Sequence, residues 1–117
     1  MLVLEQEVLS RASLAEYLRS CGYRVFEARN TAEALTILQE SSEPIRIVLS
    51  RAENGFTLSG WLKANRPKTK IILAATVEGA SRAAADLCDV GPHGKRPYDA
   101  QLLVQRIKAS LAKGDSE

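Results

Sequence analysis

The sequence predicts a single α/β domain, residues 1–117, in which a sheet of five parallel strands is covered by helices on both faces. Short apolar runs alternate five times with segments of helical periodicity along the chain. A length of 117 residues matches one compact unit, and a chain that is 45% hydrophobic and 26% charged has the composition of an ordinary globular protein. We therefore expect one core and no second domain.

The first strand and the first helix are predicted within residues 1–22. Leu2–Leu4 is a short apolar run of the kind that forms a buried strand. Apolar residues then recur at helical spacing from Leu14 to Cys21, which indicates a helix. Gly22 follows it and suits the left-handed conformation that often ends a helix.

The alternation continues with a second strand, a second helix and a third strand. Residues 23–28 favour a short strand, and Asn30 with Glu33 three residues later resembles a capping box that opens a helix. The apolar positions of this helix are Ala34, Leu35 and Leu38. Residues 45–50 are apolar and rich in β-branched side chains, so they predict a strand that is buried on both faces.

The middle of the chain carries a predicted loop, a helix and the fourth strand. Residues 51–57 are mostly polar and are expected to form a loop. A helix around Trp61 should end before Pro67, because the residue that precedes a proline is disfavoured in helical geometry. Residues 71–73 are apolar and predict the fourth strand.

The C-terminal part completes the alternation. Residues 78–88 are alanine-rich with helical spacing. Residues 90–95 are assigned as the fifth strand from the alternation alone, since two glycines and a proline interrupt them. Asp99 can cap a last helix. The apolar stripe of that helix consists of Leu102, Leu103, Ile107 and Leu111.

Charge, hydropathy and cysteine content exclude several classes of protein. Sixteen basic and fourteen acidic residues give a net charge of +2, which is too small to predict nucleic acid binding. Apolar runs are far shorter than the ~20 residues that span a membrane, and no secretory leader is apparent. We therefore expect a cytoplasmic protein without a membrane partner. Cys21 and Cys88 lie far apart in the chain and are expected to be free, buried thiols.

Five segments resemble, in order, the receiver domains of response regulators. Residues 2–38 are similar to the first third of a receiver, 47–50 to its third strand and 58–61 to its acidic loop. Residues 67–75 are similar to its fourth strand, and Arg96-Pro97-Tyr98-Asp99 resembles the Lys-Pro-aromatic turn before its last helix. The resemblance implies a flavodoxin-like fold with strand order 2-1-3-4-5. It also implies a role in two-component (phosphorelay) signal transduction.

Receivers accept a phosphoryl group on an aspartate after the third strand, beside a divalent metal that is held by an acidic pair after the first strand. In this chain Arg51 stands at the phosphoacceptor position, or Ser50 if the alignment slips by one residue. Neither side chain can form the acyl phosphate. Glu5 keeps one acid of the pair, but Gln6 replaces the other with a neutral amide. The resemblance therefore implies no metal site, with Mg²⁺ binding weak or absent.

The other receiver positions are altered as well. Ala75 stands where the family has a hydroxyl, and Thr76 should point away from the site because side chains alternate along a strand. Arg96 takes the lysine position and keeps the charge with a different geometry. His93 lies near the position of the switch aromatic. No catalytic residue is expected, and no nucleophile, base and orienting group come together as an enzyme requires.

An arginine at the acceptor position can compensate for the missing metal. We expect an ion pair between Arg51 and Glu5, with Glu7 nearby, since a guanidinium donates to carboxylates that would otherwise repel each other. In the alternative interpretation Arg51 extends into solvent and the two glutamates are solvated acids at a strand end. If a phosphoryl adduct nevertheless formed, Glu53 in the predicted loop would be the first candidate.

The resemblance therefore implies a degenerate receiver, a pseudo-receiver, that acts by docking without phosphorylation. Its docking region would be residues 78–111. Its partner would be a histidine kinase, another receiver or a further domain of the same signalling protein, and a homodimer is possible. The alternative is a small-ligand sensor in which Arg51 and Arg96 bind a nucleotide or phosphate, although no glycine-rich phosphate loop follows the first strand.

Overall fold

The computed structural model describes residues 1–115, apart from the side chains of Asn54 and of residues 113–115. The strands are β1 (Leu2–Leu4), β2 (Phe26–Ala28), β3 (Ile47–Arg51) and β4 (Lys70–Ala74). The helices are α1 (Val8–Ser20), α2 (Thr31–Glu40), α3 (Ala52–Asn65), α4 (Val77–Asp89) and α5 (Ala100–Asp115). The predicted α/β class is therefore confirmed for the described residues.

The strands form one parallel sheet in the order β2-β1-β3-β4. Val3 of β1 lies between Glu27 of β2 and Leu49 of β3, and Leu49 in turn pairs with Ile72 of β4. Each consecutive pair of strands is connected by a helix, as parallel pairing requires. All three residues of β1 are buried, which fits an apolar strand at the centre of such a sheet.

The two faces of the sheet carry different numbers of helices. One core joins α1, α4 and α5 to the side chains of Val3, Leu49 and Ala74. The other core joins only α2 and α3 to the alternate strand residues, including Leu4 and Val48. This alternation follows from the two-residue repeat of a strand. On the α2/α3 face, Leu73 of β4 lies against Gly55 and remains 37% exposed.

The prediction of a fifth strand is wrong for the described residues: the segment from 90 to 99 forms turns, and the sheet ends at β4. Gly94 has a φ of 70°, which breaks an extended chain. The segment folds back onto the end of α1, where the His93 backbone N–H donates to the Cys21 carbonyl at 3.3 Å. A Cβ at Gly91 would lie 2.7 Å from the Tyr23 ring, so glycine permits this approach.

The predicted polar loop at 51–57 is also wrong. Arg51 is the last residue of β3, and α3 begins at Ala52. Gly55 within this segment has a packing role, because a Cβ there would lie 2.1 Å from Cδ2 of Leu73 on β4. Glycine thus lets the first turns of α3 lie directly on the sheet.

The two cysteines are not free thiols, as the sequence suggested, but form a disulfide bond. Cys21 follows the last turn of α1, and Cys88 lies in the last turn of α4. The packing of α1 against α4 brings the Cα atoms of the two cysteines to 5.5 Å, although the cysteines are 67 residues apart in the sequence. Spacing along the chain cannot reveal this proximity.

The predicted helix boundaries are mostly confirmed. The Asn30 side chain accepts from the Glu33 backbone N–H at 2.8 Å, and Asp99 accepts from the Leu102 backbone N–H at 2.8 Å. Gly22 has the expected positive φ, 100°. Within residues 1–115, no helix combines the length and the apolar character that a membrane span needs.

Candidate functional site

The candidate site lies at the carboxyl edge of the sheet, where β1, β3 and β4 end side by side. Glu5 follows β1, Arg51 ends β3, and Ala75 follows β4. Functional residues of parallel α/β sheets gather at this edge, beyond the strand ends. The parallel register brings together three segments that are distant in the sequence.

Glu5 is buried, with 3% of its surface exposed, and both of its carboxylate oxygens are engaged. Oε1 accepts a hydrogen bond from the Glu7 backbone N–H at 3.0 Å. Oε2 lies 3.4 Å from Nη1 of Arg51. This is the ion pair that the sequence predicted. The Arg51 side chain is only 17% exposed, so the alternative of an arginine extended into solvent is wrong.

The Arg51 guanidinium also contacts the third strand end. Its Nη2 donates to the carbonyl oxygen of Ala75 at 3.1 Å. Its Nε is buried, and no described residue accepts a hydrogen bond from it. One side chain therefore connects the ends of β1, β3 and β4, and the cation satisfies a carboxylate and a carbonyl group at once.

Burial raises the pKa of the Glu5 carboxyl above its ordinary value of 4.5. The Glu7 backbone N–H and the Arg51 guanidinium act in the opposite direction and lower this pKa, but they do not outweigh the loss of hydration. The nearby carboxylates of Glu53 and Glu7 raise it further. The ion pair therefore balances charge in a partly dehydrated place and is a modest source of stability.

Two polar residues beside the site serve as helix caps. The Glu7 carboxylate accepts from the Ser10 backbone N–H at 2.7 Å and opens α1. The Thr76 hydroxyl accepts from the Gly79 backbone N–H at 3.0 Å and opens α4. The sequence analysis missed the capping role of Glu7. The signal was weak, because the favoured N-cap residues are Ser, Thr, Asp, Asn and Gly, and glutamate is not among them.

The remaining residues at the strand ends leave little chemistry available. Gln6 is exposed, and none of the observed hydrogen bonds connects it to Glu5 or Arg51. The Ser50 side chain is buried, and its hydroxyl donates to the Arg51 carbonyl oxygen at 2.9 Å. Ala75 contributes its carbonyl oxygen alone. The Ser50 hydroxyl is therefore already engaged in a hydrogen bond with the backbone of its own strand.

Arg96 and His93 do not join these residues. Arg96 donates to the carboxylates of Asp86 and Asp89 on α4. His93 is exposed and lies against Gly22 at the end of α1. The structure therefore does not bring Arg51 and Arg96 together as a shared binding site for one phosphate group.

The residues present do not fit the magnesium ion of receiver domains. In the part of the chain that the structure describes, no group of three or more His, Cys, Asp or Glu residues is arranged to hold a metal ion. The carboxylate that would be the ligand, Glu5, is already engaged by Arg51 and by the Glu7 N–H. A hard divalent cation needs several free oxygen ligands, and a guanidinium beside it would repel it.

Comparison with known proteins gives one informative similarity. The chain is 25% identical over 118 residues to the probable transcriptional regulator ycf29 of Pyropia yezoensis. The match covers 97% of this chain and 53% of that protein, so the chain spans about half the length of this relative. No family model matches the chain. No solved structure matches it either. The similarity is compatible with a regulatory role.

Proposed function

We propose that this chain is a receiver-like regulatory domain of two-component signal transduction that acts by docking to other proteins and is not phosphorylated. The observation that carries the proposal is the bridge from Arg51 to Glu5 and Ala75. A cation occupies the place where a phosphorylated receiver needs an anionic acceptor and a metal. The proposed domain is accordingly neither an enzyme nor dependent on a cofactor.

The chemistry of the strand ends supports this proposal. A guanidinium has no acceptor atom and cannot form an acyl phosphate. The hydroxyl of Ser50, the residue before Arg51, is buried and donates to a backbone carbonyl. The bridge also holds β4 to β1 and β3 without any ligand. The Arg51 bridge therefore fixes the strand ends in one arrangement, and this arrangement does not require phosphorylation.

The relative supports the regulatory part of the proposal. That protein is named as a probable transcriptional regulator, and it aligns with almost all of this chain. A domain that has lost the phosphorylation chemistry can still regulate if it presents a defined surface to a partner.

The surface of residues 78–111 is the proposed docking face. α4 is amphipathic, with its alanines and Leu87 turned to the core. Its exposed side chains are charged: Glu78, Arg82, Asp86 and Asp89. A charged face of this kind gives specificity and fast association through complementary charges on the partner. The proposed partner is a histidine kinase, another receiver or a further domain of the same signalling protein.

Incubation with acetyl phosphate and Mg²⁺, followed by intact mass measurement, tests the first half of the proposal. We expect no added phosphoryl mass on this chain, while a phosphorylatable receiver in the same tube gains it. A labile adduct on an aspartate or glutamate would overturn the proposal, and peptide mapping would then begin at Glu53. Titration with beryllofluoride and Mg²⁺, followed by ¹H–¹⁵N spectra, should leave the Arg51 and Ala75 amide signals unmoved.

A pair of charge reversals tests the second half. Arg82→Glu changes the proposed docking face, and Lys63→Glu changes an exposed cation on α3. Binding of the purified chain to kinases and receivers from the same genome would be measured by biolayer interferometry. We expect Arg82→Glu alone to weaken binding to a partner. Equal effects of the two variants, or no binding to any of these proteins, would contradict the docking proposal.

A further inference from the structure

β4 has an unpaired outer edge. The Lys70 backbone N–H donates to the Arg46 carbonyl at 2.8 Å, so Lys70 and every second residue after it face β3. The backbone N–H and C=O groups of Ile71 and Leu73 therefore lie in the plane of the sheet and point outward, away from β3. Within residues 1–115, none of the backbone hydrogen bonds outside the regular elements involves Ile71 or Leu73, and no strand lies beyond β4.

The side chains beside this edge are apolar and incompletely covered. Leu73 is 37% exposed, and Phe56 on α3 is 71% exposed. Leu73 packs over Gly55 on the α2/α3 face, which has no third helix because α4 packs with α1 and α5. An unpaired strand with exposed apolar neighbours is a template for another strand.

The charges near β4 indicate how that strand is oriented. Lys68 and Lys70 are exposed where β4 begins, and neither forms an ion pair with any residue whose side chain the structure describes. Past the other end of β4, exposed Glu53 lies in the first turn of α3, next to the end of the adjacent strand β3. A second β4 in antiparallel orientation would bring the basic start of each copy near the acidic end of the other. A parallel orientation would bring like charges together.

We propose that a second copy of this chain pairs with β4 in antiparallel orientation, with the two-fold axis beside Ile72. In this register Ile71 exchanges both of its outward backbone hydrogen bonds with Leu73 of the second copy, and the reverse pair does the same. The Leu73 side chain then lies beside Ile71 of the second copy on the same face of the sheet. The result is one continuous sheet across an isologous dimer.

This dimer goes beyond the proposed docking function and does not depend on it. It uses the margin of β4 and α3, whereas the docking face consists of the outer surfaces of α4 and α5. It places a strand of the second copy in the position that the alternation assigned to residues 90–95. A failed phosphorylation or kinase-binding test would therefore leave the dimer unaffected, and the reverse also holds.

Sedimentation equilibrium of the full chain tests the proposal. The wild type should sediment as a concentration-dependent dimer, and Leu73→Pro should be monomeric, because proline removes an outward N–H that β3 does not use. Circular dichroism establishes that the variant is folded. A wild type that remains monomeric up to its solubility limit would overturn the proposal, as would a folded Leu73→Pro variant that still dimerises as tightly as the wild type.

A charge variant keeps the test decisive if the proline variant does not fold. Lys70→Glu brings an acid to the acidic end of the second copy and should raise the dimer dissociation constant roughly fivefold to tenfold, since two symmetric positions change. Lys63→Glu on α3 makes the same charge change away from the edge and should leave that constant within about twofold. Equal effects of the two variants would show that the dimer uses another surface.

Discussion

Arg51 and Glu5 are 46 positions apart in the sequence, and their side chains meet at 3.4 Å where β3 and β1 end. The parallel register makes this contact possible, because it ends the two strands at the same edge of the sheet. The carboxylate is buried and the Arg51 side chain is only 17% exposed, so water and salt screen this ion pair weakly. Replacement of either side chain should therefore change the free energy of unfolding.

Replacement of Arg51 by methionine should lower the free energy of unfolding by about 2 kcal/mol, because it leaves the buried Glu5 carboxylate without its cation. Arg29→Met is the matched control. Arg29 is exposed and pairs with Glu33 in the i,i+4 arrangement, so its loss should cost at most about 0.5 kcal/mol. Urea unfolding at neutral pH measures both. The double variant Arg51→Met with Glu5→Gln should recover part of the loss, and equal costs for the two arginines would refute the role of the pair.

Stability should respond to pH through Glu5. Its pKa is raised in the folded protein, mainly by burial, so folding favours the protonated form. The stability that Glu5 contributes is therefore fully present below its unfolded value of about 4.5 and is lost as pH rises through the higher folded pKa. Glu5→Gln cannot titrate at this position. The unfolding free energy of the wild type minus that of Glu5→Gln should fall as pH increases across this window.

Urea unfolding of both proteins between pH 4 and pH 8 checks this expectation. Other acids titrate in both proteins and cancel in the difference, including the exposed Glu33 and Glu78. The Arg29 backbone N–H lowers the pKa of Glu33 most, and the hydrogen bond with Lys108 lowers that of Glu78 most. A difference that grew with pH would mean that Arg51 lowers the Glu5 pKa by more than burial raises it.

Loss of the disulfide should destabilise the fold by about 4 kcal/mol in the chain-entropy description, because the bond closes a long loop of the unfolded chain. The double variant Cys21→Ala with Cys88→Ala and the reduced wild type should lose similar amounts in urea unfolding. Reductant should have no effect on the double variant. Identical unfolding curves for oxidised and reduced wild type would contradict a disulfide that constrains the unfolded state.

Two glycines of α3 should respond in opposite ways to alanine. Gly55→Ala should destabilise by about 1–3 kcal/mol, since the new Cβ would lie 2.1 Å from Leu73 and 3.0 Å from the Ser50 hydroxyl. Gly60→Ala should stabilise by about 0.5–1 kcal/mol, because nothing lies within 4 Å and alanine is the better helix former. Thermal unfolding of both variants measures the contrast. Stabilisation by Gly55→Ala would mean that α3 can move away from β4.

The elements with a strong local signal could be predicted from the sequence. β1 is short but wholly apolar, and Asn30 and Asp99 cap their helices as predicted. The contact between Arg51 and Glu5 also follows from the sequence, because it needs only two parallel strands that end together.

The errors have a common physical origin in long-range packing. The turns at 90–99 are held against the end of α1, and Arg96 turns back to Asp86 and Asp89 instead of entering the site. The disulfide depends on the position of α4 on the α1 face. The polar residues 51–57 suggested a loop, although Gly55 among them permits a close contact between α3 and β4. Patterns among residues that are neighbours in the sequence cannot predict these long-range contacts.

The bond between Cys21 and Cys88 also turns most of the protein into a covalent ring. The ring contains three of the four strands, β2, β3 and β4, together with α2, α3 and α4 as far as Cys88. A protease that cuts once in the exposed connection near Ser42 would leave one molecule of almost unchanged mass, and its two pieces would separate only after reduction. A chain that is cut once between Cys21 and Cys88 thus stays covalently connected through the disulfide bond.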